Sequence, residues 1–469
     1  MRRTERISNR TARHMADLAT ELRVTDPGIR ALFTRNSRWQ AWLDVEAALA
    51  DAEADLGMIP RAAADEIARK AHLSLIDIAR VEEGLRVTGH PLVPLIWELD
   101  RICEGDAGGF VHWGATTQNI TQTGQILLIR RSHAIFMGQL ARLLEGFANL
   151  AERTRDHVMP GRTHGQHAVP ATFGYKVAVW IDELVRHVDR LRECEPRTFV
   201  AMLGGGAGTL ASFGDQGRTV QDRLAQKLRL NSMPVPSRVL LDHEAEYVLV
   251  LAMLAATATR IAREIYTLMK EEFAEVEEPI TEGTVGSSTM PQKRNPKLSQ
   301  DIITLGAQVR AQAPLALESM MAEHEADRAI TNIAARAIEE ACTATGDILE
   351  RLVMLAEGLQ VFPDRMRRNL DLSGGLIMSE TLMLELGREM GRQRAHDVIY
   401  DLAQEAATSD KPFRDLLAGH EEVISRLTPA DIDRLLDPMN HIGQCREMAD
   451  EQAAAGRRVA AAIRARTES

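Results

Sequence analysis

A chain of 469 residues is long enough for two or three domains around a large core. Apolar residues at 45% beside charged residues at 26% exclude a disordered or fibrous protein, and aromatics at only 4% favour packed helices over sheets. A formal net charge of -11 excludes a partner held by many phosphate contacts, so no nucleic acid is expected.

The N-terminus carries Arg2, Arg3, Arg10 and Arg13 with no apolar segment after them, which reads as a loose helical arm over residues 1–20 and not as a secretory signal. No apolar run reaches the roughly 18 residues of a membrane span, so no membrane partner is expected. Cys103, Cys194, Cys342 and Cys445 form neither CxxC nor metal-ligand spacing, which fits a reduced, cytoplasmic setting. From Ser37 the pattern turns helical through Trp39, Trp42, Leu43, Val45, Glu46 and Ala50. Residues 61–100 read as short helices broken at Gly84, Gly89, Pro91 and Pro94. His90 follows Gly89 there, as an acid/base candidate or a turn-capping histidine.

Proline placement marks the middle of the chain. No proline occurs between Pro94 and Pro160, Pro236 and Pro279, or Pro314 and Pro363, and helix interiors exclude proline. Within these gaps Ile129, Phe136, Leu140, Leu143, Phe147 and Leu150 recur at helical spacing, as do Val248, Leu251, Ala255, Ala258, Ile261 and Ile265. Long helices are predicted there, packed as a bundle with apolar surface left for a partner. Pro314 is expected to kink its helix. After residue 363, Gly374-Gly375, Pro412 and Pro429 punctuate a piece built of shorter helices. The predicted division is 1–107, 108–357 and 358–469.

Five stretches carry polar chemistry. His112-Trp113-Gly114-Ala115-Thr116-Thr117-Gln118-Asn119 precedes the first long helix, where Thr116, Thr117 and Asn119 suit either an anion site or plain N-capping. Gly161-Arg162-Thr163-His164-Gly165-Gln166-His167 precedes the second. Residues 203–209, rich in glycine, lack the ending of a phosphate loop and read as a close-packed turn. Glu323-His324-Glu325-Ala326-Asp327-Arg328 reads as a charged cluster on a helix, either lining a cleft or facing a neighbouring helix. Gly286-Ser287-Ser288-Thr289-Met290-Pro291-Gln292-Lys293-Arg294-Asn295-Pro296 reads as a mobile, reagent-carrying loop or a solvated linker.

This last string resembles the signature of the fumarase/aspartase superfamily, Gly-Ser-Ser-x-Met-Pro-x-Lys-x-Asn-Pro, at every fixed position. The resemblance extends from about residue 30 to 450. It implies an all-α, three-domain fold with a central long-helix bundle, a homotetramer with a twenty-helix core, and active sites shared between subunits. It implies Ser287 as base, with Ser288, Met290, Lys293 and Asn295 in the same substrate loop. It implies Thr116, Thr117 and Asn119 as a carboxylate-binding element. His164 with Gln166 matches the family's Arg-Thr-His-Gly-Gln motif, His90 is a second acid/base candidate, and His324 lines the cleft. No metal or cofactor is implied.

The chemistry implied is β-elimination beside a carboxylate of a small dicarboxylate. The lead reading is an adenylosuccinate-lyase-like C–N lyase that releases fumarate from an N-substituted aspartate. Residues 112–116 and 375–380 also resemble 3-carboxy-cis,cis-muconate cycloisomerases, which close a lactone. A non-catalytic, crystallin-like structural protein is the alternative from another class. Ala326 stands where the family has arginine, and Ala334-Ala335 where it has a Glu-Arg pair, so adenylosuccinate itself is not expected as substrate.

Overall fold

The computed structural model describes residues 18–279, 283 and 287–467. Most of the predicted N-terminal arm, and Gly286 of the signature loop, lie outside the described residues. The end of that arm is anchored. The Thr20 backbone N–H and hydroxyl both donate to Asp301 Oδ2, at 3.0 and 2.6 Å, and Thr20 is buried.

The architecture is all-α. The helices that position the site are α1 (Arg35–Asp55), α2 (Val93–Ile102), α3 (Thr117–Arg153), α4 (Phe173–Thr198), α5 (Asp242–Leu268), α6 (Lys297–Glu318), α7 (Arg328–Gly358) and α8 (Cys445–Thr467). The gaps Pro94–Pro160, Pro236–Pro279 and Pro314–Pro363 hold α3, α5 and α7, of 37, 27 and 31 residues, the first two along the periodic stripes. Pro314 lies inside a helix that is continuous over Lys297–Glu318. α5 packs against α4, α6 and α7, while α3 packs against α1, α4, α7 and α8. The helical stripe Phe136, Leu140, Leu143, Phe147 and Leu150 of α3 is fully buried in this core. α5 is apolar and long enough by composition to cross a membrane, but most of it is buried inside the bundle.

Three local features differ from the sequence expectation. The helix Ile78–Thr88 runs through Gly84 without a break, because a Cβ there would stand 2.7 Å from Pro94 Cβ and glycine lets the next helix close in. Residues 158–172 form an antiparallel hairpin of β1 (Val158–Thr163) and β2 (Gln166–Thr172), with Arg162 opposite His167 and Thr163 opposite Gln166. His164 and Gly165 make its two-residue turn, with φ of 53° and 78°, the left-handed pair that matches the twist of a tight hairpin. The C-terminal piece divides in two. Residues 382–435 enclose a separate apolar cluster, whereas α8 returns to the bundle and adds Ala453, Ala460 and Ile463 to the main core.

Glu53 on α1 is fully buried, and neither carboxylate oxygen has a hydrogen-bond partner among the described residues. Burial, and then the charge of Glu46, push its pKa up to about 9. The folded state therefore holds a proton that the unfolded chain releases near pH 4.5, and stability falls as pH rises from there toward 9. Glu53→Leu is expected to flatten this slope. Measured by thermal unfolding at pH 5.5 and 8.5 (about three units apart), the variant gains more than about 1.4 kcal/mol relative to wild type at the higher pH, the equivalent of one pKa unit. An unchanged slope would show that Glu53 is ionised in the fold.

Candidate active site

The element at 112–119 is built by capping. Thr116 is the N-cap of α3, and its backbone N–H donates to Asn119 Oδ1 at 3.0 Å. Asn119 Oδ1 also accepts from Gly205 N at 3.2 Å, and its amide nitrogen faces Met202 Sδ at 3.0 Å. Asn119 is thus 1% exposed and joins the helix start to the glycine-rich turn. That turn is close-packed as expected, since a Cβ on Gly204 would stand 2.4 Å from Pro236 O. His112 fastens the loop to α1 through Glu46 Oε1 at 2.7 Å. Thr116 and Thr117 remain half-buried at the N-terminus of a 37-residue helix, where backbone N–H groups and the helix dipole favour an anion.

His90 stands beside them. Its Nδ1 accepts from Leu92 N and Val93 N at 3.3 and 3.0 Å, capping α2. A neutral imidazole whose Nδ1 accepts carries its proton on Nε2, and Nε2 lies 3.4 Å from Thr117 Oγ1. His90 therefore caps a helix and presents a donor to the anion element at once.

His164 and Gln166 lie exposed at the hairpin tip. The hairpin is anchored through Arg162, whose guanidinium donates to both oxygens of Glu275, at 3.0 and 2.7 Å, and sits over the Phe273 ring. Glu275 is fully buried and also accepts from Asn369 Nδ2 at 2.7 Å. It immediately precedes the strand Val276–Glu277, which leads into the signature loop and pairs with Gln360–Val361. At the far side of that loop, Glu278 accepts from Leu298 N and Ser299 N at 2.9 and 2.7 Å, so one carboxylate ties both ends of the loop at the start of α6. Burial raises the Glu278 pKa, against the pull of these bonds.

Within the loop, Ser287 Oγ accepts from Thr289 N and Met290 N at 3.3 and 3.1 Å. Ser288, Met290 and Lys293 are exposed and Asn295 is half-buried. Among the described residues of one chain, no hydrogen bond joins His164 to Ser287 or to the His90–Thr117 pair.

Residues 323–327 of the charged cluster form a turn and not part of a helix, and Arg328 is the first residue of α7. His324 is exposed there with φ of 56°, and Asp327 starts α7 by accepting from Ala329 N at 2.9 Å. The polar run separates two helices because its aspartate is a cap. Beyond it lies a cavity of about 420 Å³ between α1, α3, α5 and α7, whose wall includes Pro91, Gln118, Thr121, Arg328 and Arg336. Two groups that the sequence reading did not single out matter here: the Glu275 anchor, and Glu244 on the cavity wall. Glu244 falls on the apolar stripe of α5 with Val248 and Leu251, and an acid in register with buried positions is the signal that marks it.

A family profile described as "Lyase" matches residues 20–311, and one described as adenylosuccinate lyase C-terminus matches residues 375–452. The chain belongs to the fumarase/aspartase superfamily. It is 40% identical to an adenylosuccinate lyase of Methanothermobacter thermautotrophicus, over 93% of this chain and 98% of that one. It is 38% identical to an N-acetyl-S-(2-succino)cysteine lyase of Enterococcus italicus, over 91% and 94%. The 3-carboxy-cis,cis-muconate lactonizing enzyme of Pseudomonas putida superposes with a TM-score of 0.86 at 31% identity, over 94% and 99%. As a superfamily member the chain is an enzyme, a lyase or cycloisomerase by its relatives.

The Arg162–Glu275 pair is expected to hold the His164 hairpin. Removing one partner of a buried ion pair leaves the other charge unpaired, at a cost of about 3–5 kcal/mol. Glu275→Ala should lower the melting temperature and speed amide hydrogen exchange in residues 158–172 before it does so in α3. Exchange unchanged in the hairpin would show that the pair does not hold it.

Proposed function

We propose that this enzyme is a lyase that breaks the carbon–nitrogen bond of an N-substituted aspartate and releases fumarate. The observation that carries this reading is the pair of backbone N–H groups directed at Ser287 Oγ. A serine hydroxyl is a weak base, and its alkoxide persists only where fixed donors stabilise it. Thr289 N and Met290 N supply such donors before any substrate binds.

In this mechanism Ser287 takes the proton from the carbon next to the one that bears nitrogen. The electrons delocalise into the adjoining carboxylate, which becomes a dianionic aci-form. Lys293 and Asn295 hold that carboxylate, and Thr116 and Thr117 at the start of α3 hold the other. His164 then donates a proton to the departing nitrogen as the double bond forms. His90 orients Thr117 through its Nε2–H, or serves as the second acid. Ser288, Met290, Gln166 and His324 line the closed site. Closure of the signature loop on its Glu278 hinge excludes water from the carbanion.

The names of the two curated relatives place a succinyl group on nitrogen or sulfur, which supports elimination from a substituted succinate. Lactone closure is the second reading, favoured by the superposition on the lactonizing enzyme. It uses the same carboxylate sites in the direction of addition. Retention of Ser287, His164, Lys293 and Asn295 speaks against a purely structural protein. The expectation against adenylosuccinate rests on alanines at 326, 334 and 335. Arg328 on the cavity wall carries positive charge there, while Arg336 pairs with Glu340, so adenylosuccinate belongs among the substrates tested.

Because no hydrogen bond joins His164, Ser287 and Thr117 among the described residues of one chain, the reading includes a homotetramer whose subunits share active sites. Apolar side chains left exposed on the long helices support it, among them Met253, Leu315 and Leu317. Light scattering should give four times the 51.9 kDa chain mass, and a stable monomer at micromolar concentration would contradict the shared site. We place the enzyme in the cytoplasm, with its cysteines unpaired.

The test is ultraviolet detection of fumarate with adenylosuccinate, simpler N-substituted aspartates and S-(2-succino)cysteine. At least one nitrogen-linked compound should be cleaved, and Ser287→Ala should lower its kcat by about 10²–10⁴-fold with assembly unchanged. Lactone formation from a carboxymuconate without fumarate from any of them would favour the second reading. A Ser287→Ala variant as fast as wild type would remove Ser287 as base.

A further inference from the structure

The start of α6, into which the signature loop runs, is held from two sides. Glu278 binds the N–H groups of Leu298 and Ser299 in its first turn. Asp301 in the second turn is held by the N-terminal segment. Its Oδ2 accepts from the Thr20 N–H and hydroxyl at 3.0 and 2.6 Å, and its Oδ1 from Ala19 N at 3.3 Å. Thr20 Oγ1 in turn accepts from Arg351 Nε at 2.9 Å, and Arg351 Nη1 donates to Asp347 O at 3.0 Å. A hydroxyl has one proton and spare lone pairs. Here the proton goes to α6 and a lone pair goes to α7, so one small side chain links two helices of the bundle. Thr20, Asp301 and Arg351 are all buried.

The same segment reaches the other limb of the loop. Arg23 Nη2 donates to Gly283 O at 3.4 Å. Gly283 precedes Ser287 and Asp301 follows Asn295, so residues 19–23 touch the chain on both sides of the loop. Their grip is largely polar. Leu18 and Val24 are only partly buried against the core, and a cavity of about 220 Å³ lies between this segment and α7, beside Asp347 and Arg351. Directional bonds, more than apolar packing, therefore fix where the segment sits. A buried carboxylate stripped of its donors is costly, so α6 in this position and the segment in its place require each other.

We propose that residues 18–24 brace the signature loop, and that Thr20 and Asp301 are positioning residues for Ser287. The inference rests on the lyase reading for the role of Ser287. With Asp301 seated on Thr20, α6 begins at a fixed place, and the stretch from Ser287 to Pro296 enters it from one geometry. With the brace released, the helix start moves, and Ser287 moves with it relative to a substrate held at Thr116 and Thr117. A displacement of about 1 Å, caused far from the chemistry, can cost about 100-fold in rate. Thr116 and Thr117 lie outside the braced stretch, so the loss falls on kcat more than on KM.

Two substitutions at one position test it. Thr20→Val keeps the shape and removes the hydroxyl, whereas Thr20→Ser keeps the hydroxyl. In the full-length enzyme, Thr20→Val should speed amide hydrogen exchange over residues 287–303 and leave α3 and α5 unchanged. On whichever substrate is cleaved it should lower kcat about tenfold or more, with KM within about threefold of wild type. Thr20→Ser should match wild type in both readouts. Asp301→Ala should reproduce the Thr20→Val effects, and the double variant should be no worse than Asp301→Ala alone, because the two residues act as one unit. Circular dichroism confirms folding, and the Thr20 pair decides the matter if Asp301→Ala does not fold. Unchanged exchange over 287–303 in folded Thr20→Val would overturn the inference. So would faster exchange there at wild-type kcat, which would make the segment an anchor only. The exchange measurement requires no turnover. A chain that releases no fumarate would therefore contradict the lyase reading, while exchange still decides whether the segment holds the loop.

Discussion

The site depends on one buried carboxylate. Glu275 takes both arms of Arg162 and the amide of Asn369. Through Arg162 it holds the hairpin that carries His164, and through the chain it holds the root of the signature loop. Desolvating a carboxylate and a guanidinium costs several kcal/mol, and the pair is tolerated because its bonds are bidentate and its remaining acceptor is filled. Its role is registration more than stability. Two catalytic candidates more than a hundred residues apart in sequence are fixed to one rigid body, while the residues that reach for substrate stay exposed at the tips.

The parts of the fold written in long periodic patterns were legible in advance. α3 and α5 follow from proline-free gaps and a 3.6-residue stripe, and α7 from a proline-free gap. The signature loop and the Thr116–Thr117 cap were legible as polar stretches next to helix starts. The hairpin at 158–172 was not, because its strands are short and its turn, His164-Gly165, asks a histidine to adopt the left-handed conformation that asparagine or glycine usually takes. The turn at His324 reads as helix in the sequence because charged residues suit both. Only the cap formed by Asp327 decides between them, and a cap is visible in sequence only when the helix start is already known. Return of α8 to the bundle is a tertiary event that no local pattern announces.

Acids on apolar stripes emerge as the most informative departures from pattern. Glu46, Glu53 and Glu244 all sit in register with buried positions, and each has a different outcome. Glu46 fastens His112 and with it the anion loop. Glu53, with no hydrogen-bond partner among the described residues, has its pKa pushed up by burial. Glu244 faces a cavity beside the proposed chemistry.

The central claim is that a proton is removed from carbon beside a carboxylate. Its most direct test is to let the reaction run near equilibrium in deuterium oxide, with whichever substituted succinate yields fumarate, and to read the recovered substrate by proton NMR. The account predicts one deuterium, with a single stereochemistry, on the carbon adjacent to the one bearing the heteroatom. Recovered substrate with no deuterium at that carbon, or with the label on the heteroatom-bearing carbon, would contradict it.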